Sequence, residues 1–360
     1  MARKIAKTIL ILLLALLLLL GGYVAYVVLD YYRLEDRLPL EVTGGQRSAA
    51  QVGQEYNILS FNIGFGAYES DFGFFMDGGT ESWAWSEERL DANLSSIAQF
   101  VADKDADFYC LQEVDRDSTR SYHVDEYAYI MDVLVDEYAF FWSQNYDSPF
   151  LFYPIFQPHG KSVSGLVTLS EYSVDSALRR SLPVENGFMK YLDLDRCYSV
   201  SRIPVNNSKE LLLYNTHLSA YSSDGSIADE QLVMLFEDMR QEVENGNYVV
   251  CAGDFNKDLL GDSSQYFGVS GEDFTWAQSF PFELLPDGIE VVAPFDEAEP
   301  VPSCRNADGP YDPDESFVLT IDGFIVSENV EVTYAGVVDT QFAYSDHNPV
   351  EMTFVLKGEE

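Results

Sequence analysis

The run Tyr344-Ser345-Asp346-His347-Asn348-Pro349 lies directly before the apolar segment Val350 to Leu356. A short polar run holding an acid and a histidine, set against a strand-like segment, reads as a loop that delivers side chains to a site from the end of a sheet. Histidine titrates near neutral pH. A neighbouring carboxylate can hold a metal or a water while a second, remote carboxylate orients the ring. Asp322 is the candidate for that second acid, because it alone carries charge within Thr320-Ile321-Asp322-Gly323-Phe324-Ile325-Val326. A lone Ser-Asp-His run also suits an ordinary surface loop, so its weight depends on four further polar clusters at strand ends upstream.

Those clusters emerge from an alternation of strand-like and helix-like segments. Strands are expected over Asn57 to Ile63, Asp107 to Leu111, Gly165 to Ser170, Cys197 to Pro204, Leu211 to Thr216, Tyr248 to Ala252, Ser316 to Val326, Val330 to Tyr334 and Pro349 to Leu356. Helices are expected from Ser86 through Val101, with Leu90, Leu94, Ile97 and Val101 on one stripe, from about Val124 to Val135, and from Ser226 to near Gly246. Many strands with intervening helices imply two packed sheets with helices on the outer faces.

The first polar tip is Asn62, whose amide oxygen suits a hard cation or a phosphate-bound water. Gln112-Glu113 is the second, a carboxylate at a strand exit and a natural Mg²⁺ ligand. Asn215-Thr216-His217-Leu218 follows, with a histidine placed to contact a phosphoryl oxygen. Gly253-Asp254-Phe255-Asn256 is the fourth, and period-two alternation sends Asp254 and Asn256 to the same side. Strand-end Asn, Asp and His residues also cap turns with no further role. Their order along the chain is the informative property.

Charge narrows the substrate. The chain has 60 acidic against 21 basic residues and a formal net charge of −39. Nucleic-acid binders carry the opposite sign, since phosphate neutralisation supplies most of their affinity, so long duplex DNA is disfavoured. A small phosphorylated molecule or a lipid headgroup brings less charge, especially where metal ions neutralise it locally. The acidity also fits plain solubility or salt tolerance.

At the N-terminus, Arg3, Lys4 and Lys7 precede an uncharged run of 22 residues, Thr8 to Leu29. A helix of that length rises about 33 Å, enough for a hydrocarbon core of about 30 Å. It reads as a membrane span with a cytoplasmic basic stub (residues 1–29), which leaves the rest extracytoplasmic on a single-pass anchor in the cell membrane. A cleaved signal peptide is the competing reading. Residues 30–54, mixed polar and turn-rich, suit a tether, and 55–360 suit one large domain. Of four cysteines, Cys110 and Cys251 sit in apolar runs as small hydrophobes, whereas Cys197 and Cys304 are candidates to pair.

Taken in order, Phe-Asn, Gln-Glu, Thr-His-Leu, Gly-Asp-Phe-Asn, Ile-Asp and Ser-Asp-His-Asn-Pro resemble the endonuclease/exonuclease/phosphatase family of metal-dependent phosphoesterases. The resemblance spans Asn57 to Leu356 and implies a four-layer α/β sandwich binding Mg²⁺ or Mn²⁺ at the strand ends. By that resemblance, Asn62 and Glu113 are the primary metal ligands and Asp346 is an adjoining metal or phosphate-site carboxylate. Asp254 and Asn256 position the attacking water and the phosphate. His347 is the acid/base histidine oriented by Asp322, and His217 assists the transition state or leaving group. Some members place a substrate-contacting tyrosine or arginine between the second and third motifs, and no counterpart stands out here. His123 and His159 match no motif and read as structural or surface residues.

Two aromatic stretches bear on substrate. Asp71 to Trp85 and Phe140 to Phe156 either cover a sheet edge or form an apolar rim for a lipid or sugar portion of the substrate. Arg305 is an anion contact or a partner in a local salt bridge. The functional expectation is a membrane-anchored, extracytoplasmic, Mg²⁺-dependent phosphodiesterase or phosphatase. Its alternatives are an exported nuclease for short or single-stranded nucleic acid, and a non-catalytic binding protein on the same fold. Oligomeric state is left open.

Overall fold

The computed structural model describes every residue except 46–47, 135–137, 186, 192–194, 221–225, 272–273, 275 and 359–360. Val135, the expected end of one helix, lies outside the described residues. In chain order the elements begin with α1 (Ala2–Asp30), β1 (Leu38–Leu40), β2 (Thr43–Gly44), β3 (Glu55–Asn62), α2 (Glu87–Asp103), β4 (Phe108–Asp115) and α3 (Glu126–Leu134). Next come β5 (Ala139–Asp147), β6 (Val163–Ser170), β7 (Ser176–Ser181), β8 (Cys197–Pro204), β9 (Glu210–His217), α4 (Ser226–Glu244) and β10 (Tyr248–Asp254). The last six are β11 (Ile289–Val292), β12 (Cys304–Arg305), β13 (Val318–Leu319), β14 (Asp322–Ser327), β15 (Val330–Val337) and β16 (Val350–Leu356).

The strands form two seven-stranded mixed sheets, β1-β7-β8-β9-β10-β14-β11 and β15-β16-β3-β4-β6-β5-β2, with β12-β13 as a separate ribbon. Period-two alternation sorts the central strands into layers. Ile58, Phe108, Cys110, Leu213, Val250, Ala252, Phe324, Met352 and Phe354 meet between the sheets in one buried cluster. Their neighbours point the other way. Leu59, Phe61, Tyr109 and Leu111 pack outward on Ile97 and Val101 of α2 and Ile130 and Leu134 of α3. On the opposite face, Leu212, Tyr214, Val249 and Cys251 pack on Leu232, Leu235, Phe236 and Met239 of α4. The result is the expected helix–sheet–sheet–helix sandwich, with each fully buried large apolar side chain contributing about 1.5–3 kcal/mol.

Several expected boundaries shift. The run Ser316 to Val326 divides into β13 and β14, because Ile321 N–H and Asp322 N–H donate to the Ser303 hydroxyl (3.0 and 3.1 Å) instead of continuing one ladder. Within the stretch read as a tether, β1 pairs with β7 and β2 with β5, and Arg33 contacts Asp195, so these residues lie on the sheets. The candidate pair Cys197 and Cys304 is not joined. All four cysteines are free: Cys197 Sγ faces Gln144 O (3.2 Å) on the β5 side, whereas Cys304 Sγ sits beside His347. Arg305 forms no salt bridge among the described residues. It is buried, and its guanidinium donates to the carbonyls of Glu69, Phe72, Asn306 and Gly309.

Helix α1 is long and apolar enough to cross a membrane, with mean hydropathy 2.7 over its most apolar window and none of that window buried. A signal sequence shares these properties. Its last turns touch the domain through Val27, which is buried, and through Tyr23 and Tyr26, whose hydroxyls bond to the Phe150 backbone.

Candidate active site

At one end of the sandwich the inward-facing rows of the strands change from apolar to polar. Ile58 and Ser60 lead to Asn62, Phe108 and Cys110 to Gln112, Leu211 and Leu213 to Asn215 and His217, and Val250 and Ala252 to Asp254. Register aligns these tips: Asn62 pairs with Gln112 across one sheet, and Asp254 lies between His217 and Asp322 across the other. Gln112 Nε2 bridges the sheets, donating to Ser60 Oγ (3.1 Å) and to Asn215 Oδ1 (2.9 Å). Glycine permits the closest approach at Gly253 (φ +155°), where a Cβ would stand 2.0 Å from Thr216 O.

The loop before β16 closes the cluster. Ser345 Oγ donates to Asn62 O (2.8 Å) and accepts His347 N–H (3.2 Å), while Asn348 Oδ1 accepts from Thr340 N and Oγ1 (3.0 and 2.7 Å). A side chain at Gly64 (φ +53°) would meet Ser345 Oγ at 3.0 Å and Asp346 Oδ1 at 3.1 Å, so glycine lets this loop seat against β3.

His347 Nδ1 lies 2.8 Å from Asp322 Oδ2, which also accepts Ser303 Oγ at 2.8 Å. Its Nε2 lies 3.7 Å from Asp254 Oδ2 and 3.4 Å from Asn62 Nδ2. Asn62 Nδ2 donates to Asp254 Oδ2 (3.0 Å) and approaches Glu113 Oε1 (3.4 Å), and its Oδ1 accepts Gly64 N–H (3.0 Å). His217 Nε2 approaches Asp254 Oδ2 at 3.5 Å. Asp254, Asp322 and His347 form a buried group whose ligand atoms lie within 4.8 Å of one another. Asn62, Glu113, His217, Asp254, Asp322 and His347 therefore meet at one place, with Asp346 adjoining through Ser345 Oγ (3.2 Å).

Asn256 reaches the cluster by another route than alternation. Strand β10 ends at Asp254, and Asn256 takes a left-handed conformation (φ +49°). Its backbone N–H donates to Asp254 Oδ1 (2.9 Å) and its amide to Leu218 O (2.8 Å), which fixes the acid and the turn. Glu113 does not end its strand either. Strand β4 continues to Asp115 around a bulge between Leu111 and Val114, with Glu113 at φ +54°. The bulge re-aims the carboxylate toward Asn62.

Burial sets the charges. It pushes Asp254 up to about 7, against the lowering effect of His347, and Asp346 up to about 6. Burial is the largest single effect on His347 and disfavours its charge, yet Asp322, Cys304 and Asp346 together hold the imidazole well above its ordinary value. His217, buried and near Arg196 and His347, is held well below. A hard divalent cation would ionise the buried Asp254 and Asp346 carboxylates, so these two, with the Glu113 carboxylate and the Asn62 amide beside them, fit such an ion.

A cavity of about 530 Å³ opens from the cluster, with Glu113, Arg120, Asn145, Arg196 and His217 at one end and Tyr23, Val27, Phe75, Met76, Phe152 and Ile155 at the other. Arg120 holds Asp115 with two bonds (2.9 and 3.0 Å), lies 3.7 Å from Glu113 and stacks on Phe65. Arg196 is buried and its Nε has no hydrogen-bond partner among the described residues. These two arginines escaped the sequence reading because neither ends a strand in a polar tip. Arg196 immediately precedes β8, which runs antiparallel to β9 and pairs Tyr198 with Thr216, so its start lies beside the His217 tip. His159 is buried, stacks near Phe74 and Phe75 and lines the cavity, whereas His123 is exposed against Asp117.

Residues 59–347 match the family model described as "Endonuclease/Exonuclease/phosphatase family". The chain belongs to the endonuclease/exonuclease/phosphatase family, whose members are metal-dependent phosphoesterases and nucleases. Solved structures agree on the fold. One is an endonuclease/exonuclease/phosphatase from Beutenbergia cavernae (19% identity, 85% of this chain and 72% of that one, TM-score 0.57). Another is ANGEL2, a 2',3'-cyclic phosphatase, in complex with adenosine-2',3'-vanadate (16% identity, 89% and 99%, TM-score 0.57). A third is truncated TDP2 from Caenorhabditis elegans (16% identity, 84% and 98%, TM-score 0.51). No curated protein matches the chain.

Proposed function

We propose that the protein is a membrane-anchored, extracytoplasmic, Mg²⁺-dependent phosphoesterase (Mn²⁺ substituting) acting on a phosphate ester of a small molecule or lipid headgroup. The observation that carries this reading is the meeting of Asn62, Glu113, Asp254 and the Asp322–His347 pair in one cluster, with Glu113 also lining the cavity. Glu113, Asn62 and Asp346 would hold the divalent cation, which would supply charge neutralisation for the phosphoryl oxygens. Turning the Asn62 amide would present its oxygen to the ion in place of the N–H now facing the acids.

Asp254, its pKa near neutrality and Asn256 beside it, orients the attacking water and takes its proton. The new bond forms from that water oxygen to phosphorus as the ester P–O bond breaks. His347, kept protonated by Asp322, donates to the phosphoryl oxygens as charge develops there, and His217 lies on the far side of Asp254 to assist the leaving oxygen. Arg120 and Arg196 add positive charge to the same end of the cavity, supplying the cationic contact that the interval between the second and third motifs was expected to hold. The basic residues Arg3, Lys4 and Lys7 in the first two turns of α1 orient the domain outward.

The test is hydrolysis of bis-p-nitrophenyl phosphate by the full chain in nanodiscs, with Mg²⁺ or with chelator. His347→Ala and Glu113→Ala should each lower kcat by about 10²–10⁴, and chelator should abolish turnover. Undiminished rates in both variants would overturn the assignment.

A further inference from the structure

The cavity has two unlike ends, and its apolar end is shared with the N-terminal helix. We propose that this end is an alkyl-chain subsite, so that the substrate is a bilayer amphiphile: its phosphate ester sits at Glu113 while its tail runs between α1 and the loop 150–156. This rests on the phosphoesterase reading and adds the substrate class to it.

Three observations carry the inference. The loop Phe150-Leu151-Phe152-Tyr153-Pro154-Ile155-Phe156 has no charge in a chain of net −39. Phe152, Tyr153, Ile155 and Phe156 are 57, 68, 77 and 101% exposed, a contiguous apolar surface of the kind that meets another apolar phase. The loop is also joined to the end of the apolar helix. Tyr23 Oη donates to Phe150 O (3.0 Å), Phe150 N–H donates to Tyr26 Oη (3.0 Å), and the Tyr23 and Phe152 rings meet edge to face at 5.0 Å. Tyrosines within the last two turns of a spanning helix lie at headgroup depth, and the loop tied to them shares that depth. The cavity itself then connects this depth with the chemistry, since Tyr23, Val27 and Phe152 line it together with Glu113 and His217. At its polar end the buried Arg196 has an Nε with no hydrogen-bond partner among the described residues, a cationic donor suited to the phosphate of such a substrate.

A soluble sugar or nucleotide would leave the apolar half facing water, whereas an alkyl chain fills it and continues into the bilayer beside α1. A protein partner on the loop would not explain why the cavity runs inward to Glu113. The anchor is thereby a wall of the substrate site as well as a tether.

The experiment uses the full chain in phosphatidylcholine nanodiscs and two esters with the same leaving group, methyl p-nitrophenyl phosphate and hexadecyl p-nitrophenyl phosphate. The ratio of their kcat/KM values should favour the hexadecyl ester by about tenfold or more. It should fall about tenfold in Val27→Trp, which fills the helix side, and in Phe152→Ser, which removes the loop side. Partitioning of the long ester into the bilayer is common to all three proteins and cancels in that comparison. In parallel, a hexadecylphosphonate with a mid-chain diazirine is photolysed with the unsubstituted protein, a readout independent of turnover and of variant folding. Adducts at Val27 and Phe75 support the subsite. Adducts confined to the lipid-facing residues 9–20, or a ratio unchanged in both variants, overturn it. Adducts at Val27 with neither ester hydrolysed would sink the phosphoesterase reading and leave the subsite standing. Hydrolysis of both esters at equal rates with no cavity adduct would do the reverse.

Discussion

Glu113 and Asn256 both hold left-handed backbone conformations that glycine adopts more readily, and both lie at the cluster. At Glu113 that geometry turns a carboxylate out of the β4 ladder toward Asn62. Glu113→Gly should therefore be more stable than Glu113→Ala by about 1 kcal/mol, measured by urea unfolding, with both equally inactive. Equal stabilities would show that the backbone there is relaxed. Burial, by raising Asp254 to about 7 and Asp346 to about 6, makes a second prediction at this scale. A cation binds the ionised carboxylates, so binding displaces protons below those values. Mg²⁺ affinity should rise about tenfold or more between pH 5.5 and 7.5 and then level off, with proton release seen by calorimetry in buffers of different ionisation enthalpy. Asn62, His217 and Asp254 were legible in the sequence because each ends the inward-facing row of its strand, whereas Glu113 and Asn256 reach the cluster through a bulge and a left-handed turn. Arg120 and Arg196 were not legible, since an arginine next to a strand has no local mark that separates an anion contact from an ion pair.

Elements with an ordinary amphipathic pattern formed where their periodicity placed them. Helix α2 begins with Ser86, whose hydroxyl accepts Arg89 N–H at 3.2 Å, and buries Leu90, Leu94, Ile97 and Val101 on one face. Ser86→Ala should cost about 1 kcal/mol in urea unfolding, and Ser86→Asp should recover most of it. Loss of stability in both would point to a packing role for Ser86 in place of capping. Strands that break the pattern were missed. Strand β7 reads Ser-Ala-Leu-Arg-Arg-Ser, and its arginines are buried because Arg179 meets Asp195 and Arg180 meets Asp36 and Asp238. Those pairings arise between segments far apart in sequence. Strand β5 was hidden differently: Phe140 and Phe141 belong to the sheet, while the aromatics from Phe150 onward stand out of it. One aromatic-rich stretch therefore contains both a core strand and an exposed loop.

For the molecule as a whole, a net charge of −39 means that acidic groups repel one another over most of the surface. Screening relieves that repulsion more than it weakens the few exposed ion pairs. The thermal midpoint should rise as NaCl increases from 10 to about 200 mM, followed by circular dichroism, and KCl should act equally. A midpoint that falls with salt would mean that attractive pairs dominate. In that acidic chain the inner end of the cavity holds two arginines, Arg120 and Arg196, beside Glu113.

Sequence alone determined the layers and the order of the chemical residues. Alternating apolar residues can be buried in only one way across a two-sheet sandwich, and each motif acts within a few residues of its strand end. Tertiary structure decided which distant groups share a space. Whether cysteines 197 and 304 could meet, where an arginine finds its partner, and which aromatics stay outside the core all depend on distances between strands that no local pattern encodes. The joining of the N-terminal helix to the mouth of the cavity is of that kind, because a few hydrogen bonds and ring contacts between Tyr23, Tyr26 and a loop over a hundred residues away create it.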